Sequence, residues 1–146
     1  MSGNVLKLSY DCIGGDFDRA GEASAKIKRT LQRLGVPADV VRRVAIGTYE
    51  AEMNVIIHAG GGNVTAAVSG ADTLITVSDK GPGIPDIDAA LQEGWSTAPD
   101  YVRQMGFGAG MGLPNMVKCS DEFDIKSTVG EGTVITMRFK HQSEDL

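Results

Sequence analysis

The sequence predicts an α+β fold, a two-layer sandwich with helices on one face of a mixed, mostly antiparallel sheet. Three observations predict it. The two long helical periods fall early, at residues 17–34 and 40–58. The strands that follow pair as hairpins around Gly70-Ala71-Asp72 and Val129-Gly130-Glu131-Gly132. Nothing alternates strand, helix, strand in the way that builds a parallel sheet. A chain of 146 residues suits one domain with a single core, and residues 1–146 are read as one.

Residues 5–10 alternate, with Leu6, Leu8 and Tyr10 on one face, and read as a strand. Phe17, Ala20, Ser24, Ile27, Leu31 and Leu34 recur at helical steps, with Asp16 as the expected cap and Gly35 as the stop. Pro37 opens the second helix, which is read as running to His58, about five turns, before Gly60-Gly61-Gly62. Residues 63–69 and 73–79 form the first hairpin. Residues 85–95 are ambiguous and read as one helix, and 98–110 have no period. A short helix starts at Leu113, and residues 123–128 and 133–140 form the second hairpin.

The net charge of −5 excludes a general nucleic-acid binder, which needs a basic face. No apolar run approaches the ~20 residues of a membrane span, and no signal pattern opens the chain, so a cytoplasmic protein is expected. Cys12 and Cys119 lack metal-ligand spacing and read as free thiols. The 19 glycines gather at the ends of periodic segments, where turns need unusual backbone.

The second helix organises the chain. Arg43, Gly47, Glu50, Asn54 and His58 share one stripe, and the rest of its surface is mostly apolar. A carboxylate and a carboxamide one turn apart on such a helix need partners. On the strand at 73–79, Ile75, Val77 and Asp79 share a face, which aims the Asp79 carboxylate at the core side. The Lys80-Gly81-Pro82-Gly83 turn follows. Asp79 is either a cap on its own turn or an acceptor for a ring amine above a close-approaching backbone. Gly106-Phe107-Gly108-Ala109-Gly110-Met111-Gly112 precedes a helix and lets amides converge on phosphate; a hinge explains it equally well. Thr133 lies on a core face with Ile135, Met137 and Phe139.

In this order, Glu50-x-x-x-Asn54, Asp79-x-Gly81-x-Gly83, the glycine run and Gly130-Glu131-Gly132-Thr133 resemble the GHKL ATPase/kinase superfamily, from Leu6 to Phe139. The likeness is greatest to its bacterial anti-sigma factor and serine/threonine protein kinase branch. The finer likeness, to kinases of switch proteins, rests on Asp79-Lys80-Gly81-Pro82-Gly83-Ile84-Pro85-Asp86, Gly94-Trp95-Ser96-Thr97-Ala98, Gly108-Ala109-Gly110-Met111-Gly112-Leu113-Pro114 and Asp121-Glu122-Phe123-Asp124-Ile125. The resemblance implies a Bergerat-type fold binding ATP and Mg²⁺. It implies Asn54 as metal ligand, Glu50 as the residue polarising the attacking hydroxyl, and Asp79 on the adenine amine. Gly83 would support the ring, Gly81 would belong to the same cofactor-binding turn, Gly108, Gly110 and Gly112 would hold the phosphates, and Thr133 would lie near adenine. Residues 96–107 would be an ATP lid, and Trp95, the only tryptophan, reads as its packing anchor or else as a partner contact. His58 reads as a helix-end residue suited to the C-terminal dipole, or as a phosphate contact or lid partner. One departure is the stretch 98–107, longer than in those kinases.

Histidine-kinase activity is not expected, because the chain has no room for a phospho-acceptor helical hairpin. The activity implied is phosphotransfer to a small antagonist-type domain; the alternative is an anti-sigma factor that sequesters a sigma subunit, with ATP regulating release. Partners are therefore proteins, with no nucleic acid or membrane, and homodimerisation is left open.

Overall fold

The computed structural model describes residues 5–15, 17–92 and 112–142. The elements are β1 (Leu6–Ile13), α1 (Glu22–Arg33), α2 (Ala38–Asn54), β2 (Gly61–Val68), β3 (Asp72–Asp79), α3 (Ile87–Ala90), α4 (Gly112–Cys119), β4 (Glu122–Thr128) and β5 (Gly132–Lys140). The strands form one sheet in the order β1-β2-β3-β5-β4. Every neighbouring pair is antiparallel, so the sheet is not mixed among the described residues.

Strand alternation sorts the side chains. Val64, Ala66, Ile75, Val77, Ile135, Met137 and Phe139 are all buried, whereas Leu74 and Val134 on the opposite face are exposed. The buried face meets α2, which packs between α1 and α4. Gly47 makes that approach close: a Cβ there would lie 3.2 Å from both Met137 Sδ and Phe139 Cζ.

Three helices differ from their sequence patterns. The α-helical part of the central helix stops at Asn54, and Val55–Ala59 form a π-helical turn. The Ile56 carbonyl accepts the Gly15 amide at 3.0 Å, and Gly60 then takes a φ of 71°. A wide turn of this kind is costly and often accompanies a functional site.

The first helix begins only at Glu22, behind Gly21 with a φ of 89° and no side-chain cap of its own. Its cap comes from α2 instead. Glu52 Oε2 accepts the Ala23 amide and Oε1 the Ser24 amide, each at 3.1 Å. The carboxylate thus meets the positive end of α1. Burial pushes the Glu52 carboxyl up, and the amide bonds pull the other way. The expected cap, Asp16, lies outside the described residues. In the 85–95 stretch the described helix is α3 alone, four residues capped by Asp86, whose side chain accepts the Ala89 amide at 3.0 Å.

Candidate active site

The register places Asp79 opposite Gly62 on β2 and Thr133 on β5. Its Oδ1 accepts the Gly81 amide at 2.9 Å and the Thr133 amide at 3.3 Å. Asp79 therefore does cap its own turn. Both bonds fall on one oxygen, and Oδ2 has no hydrogen-bond partner among the described residues. One carboxylate can thus hold the turn and still offer an acceptor. Thr133 is buried, and its hydroxyl lies 2.8 Å from Ser127 Oγ. Ser127 Oγ also accepts the Ile84 amide at 2.7 Å, tying the turn after β3 to β4.

The glycines of this turn are required by the chain's own backbone. A Cβ on Gly81 would lie 2.6 Å from Ala59 Cα, and one on Gly83, at a φ of 78°, would lie 2.5 Å from the Thr128 carbonyl oxygen. Gly132 similarly abuts the Asp79 carbonyl. A Cβ on Gly62 would sit 3.0 Å from Val55 Cγ1 and 3.1 Å from Asp79 Cβ. The π turn after Asn54 and the turn after Asp79 are thereby packed against each other.

Glu50 and Asn54 are half-buried on α2. Glu50 Oε2 accepts the Asn115 side-chain amide of α4 at 3.1 Å. A Cβ on Gly112 would lie 3.9 Å from the same oxygen, which places the carboxylate beside the first turn of α4. The Asn54 carboxamide has no partner among the described residues. Its oxygen is the kind of ligand a hard cation takes alongside phosphate and water.

The rest of the predicted stripe does other work. Arg43 Nη1 donates to the Cys119 carbonyl at 3.0 Å, closing the far end of α4. Gly47 seats the sheet. Burial pushes the His58 imidazole below its ordinary range, which favours its neutral form. Gly108, Gly110, Trp95 and residues 96–107 lie outside the described residues.

Three contributors escaped the sequence reading. Ser127 had a signal, a small polar residue continuing the inward face of Phe123 and Ile125. Asn115 had a weaker one, an amide in the first turn after the glycine run. Glu52, only 2% exposed, had none, because its partners are backbone amides of a distant helix.

A family model described as a histidine kinase-like ATPase domain matches residues 15–139. The chain belongs to that family. It is 36% identical over 112 residues to serine/threonine-protein kinase RsbT of Bacillus subtilis, covering 74% of this chain and 78% of that one. It is 35% identical over 154 residues to an anti-sigma F factor of Pasteuria penetrans, covering 98% and 95%. These relatives place it in the family's bacterial branch of protein kinases and anti-sigma factors. A crystal structure of the RsbU and RsbW domains of a Mycobacterium tuberculosis protein matches with a TM-score of 0.62 at 17% identity, covering 92% of this chain and 32% of that one. A chain of the SiaB-SiaC complex from Pseudomonas aeruginosa matches at 0.58 and 12%, covering 93% and 90%. Both share the fold. Membership of the ATPase family carries the use of ATP with it.

Proposed function

We propose that this protein is an ATP-dependent serine/threonine protein kinase of a partner-switching module, acting on a hydroxyl of a small antagonist-type domain that controls a sigma factor. The observation that carries the reading is the pairing on α2. A half-buried carboxylate, Glu50, is held through one oxygen, one turn from a carboxamide without a partner among the described residues. That is the equipment phosphotransfer needs: an acceptor for the hydroxyl proton and a ligand for the metal.

The residues present fit Mg-ATP. Asp79 Oδ2 is the acceptor for the adenine amine, and Thr133 lies beside it. Gly83 supports the ring, in a turn that Gly81 and Gly83 let close against Ala59 and Thr128. Asn54 holds Mg²⁺. Gly108, Gly110 and Gly112 present amides to the phosphates, and residues 96–107 act as a lid. Bound Mg-ATP supplies the phosphoryl group and neutralises its charge. Glu50 accepts the proton of the attacking hydroxyl, and the single domain 1–146 carries all of these parts.

The relatives named anti-sigma F factor support a second reading, in which the chain sequesters a sigma subunit and ATP regulates its release. One experiment separates the two: purified protein with labelled ATP is given an antagonist-domain protein or a sigma subunit. Label on a serine or threonine of the antagonist supports the kinase. A stable sigma complex with no transfer to the antagonist supports sequestration.

A further inference from the structure

We infer that Asn115 is a positioning residue for phosphotransfer, acting through Glu50; this rests on the reading of Glu50 as the proton acceptor. A carboxylate can only accept, so the Asn115 group facing it is the NH₂ end. The bond of 3.1 Å goes to Oε2. Oε1 has no partner among the described residues and is the oxygen left for the acceptor hydroxyl.

A glutamate on a helix surface samples many rotamers. One charge-assisted bond from a neighbouring helix selects among them without using the second oxygen. The donor is itself fixed. Asn115 lies between Pro114 and Met116, both buried, on a helix whose far end is held by the bond from Arg43 to the Cys119 carbonyl. The α4 helix is therefore fastened to α2 at both ends, by Arg43 at Cys119 and by Asn115 at Glu50.

The test measures kcat and KM for ATP, with an antagonist-domain protein as acceptor, for the parent, Asn115→Ala, Asn115→Asp, Glu50→Gln and Glu50→Gln/Asn115→Ala. Asn115→Asp is isosteric but lacks the donor, so it covers the case in which alanine disturbs α4. Asn115→Ala is expected to lower kcat by about 10- to 150-fold, the worth of a hydrogen bond to a charged group, with KM for ATP within about twofold of the parent, because uniform binding is untouched. Asn115→Asp should be at least as slow. The double variant should match Glu50→Gln, since a residue acting through Glu50 has nothing left to position. Parental kcat in both Asn115 variants overturns the inference, as does a double variant slower than Glu50→Gln by the full Asn115 factor. Parental kcat in Glu50→Gln overturns the reading of Glu50 itself, and this inference with it.

Discussion

Asp79→Asn separates ligand recognition from folding, because the two duties of the side chain fall on different oxygens. In the parent, Oδ1 accepts the Gly81 and Thr133 amides at 2.9 and 3.3 Å. An asparagine can keep its oxygen in that place. Its NH₂ then occupies the position of Oδ2 and turns a donor toward the adenine amine. The variant loses a charged hydrogen bond worth about 1.5–3 kcal/mol, or about 10- to 150-fold in dissociation constant. Stability should change little. Asp79→Ala is the contrast: it strips both amides of their acceptor and should destabilise the fold by about 1–3 kcal/mol, besides losing ATP. The assay is titration calorimetry with Mg-ATP beside urea unfolding. Parental ATP affinity in Asp79→Asn, in a protein that unfolds at the parental midpoint, would refute the assignment of the adenine end.

Other outcomes follow from the same geometry. Asn54→Ala should lower ATP affinity in the presence of Mg²⁺ and leave the weak affinity in chelator unchanged; an equal loss in both would remove Asn54 from the metal. Limited proteolysis should be slowed by ATP within residues 96–107, and a cleavage pattern indifferent to ATP would count against the lid. Asp72 is held below the usual carboxylate range chiefly by its bond to Arg138. A depressed carboxyl stabilises above its unfolded pKa and loses that contribution as pH falls through its folded one. Asp72→Asn should therefore be less stable than the parent at neutral pH, and the gap between their urea midpoints should close in strong acid.

Much of the fold was legible because alternation and helical period are local signals. The inward row Ile75, Val77, Asp79 and the row Thr133, Ile135, Met137, Phe139 were readable from spacing, and the register sets their ends side by side. The stripe on α2 was readable too, but not the division of labour along it. Arg43 and Gly47 serve α4 and the sheet, and the π turn breaks the helical phase before His58. Within that turn the Ile56 carbonyl accepts the Gly15 amide, a contact between segments far apart in sequence. The same holds for Glu52 as the cap of α1 and Asn115 as the partner of Glu50. Periodicity reports which face a residue occupies, not which distant group meets it there. The glycines show the opposite case: their clustering was plain, and the close backbone approaches at Gly81, Gly83 and Gly132 explain it.

The central claim is that Glu50 acts in the transfer step and not in holding ATP. Glu50→Gln keeps shape and can still accept the Asn115 amide, so Mg-ATP should bind it with parental affinity in calorimetry. Single-turnover transfer of labelled phosphate to an antagonist-domain protein should fall by about 10²- to 10⁴-fold, the usual worth of a positioned base. Transfer at the parental rate in a Glu50→Gln protein saturated with ATP would contradict the account.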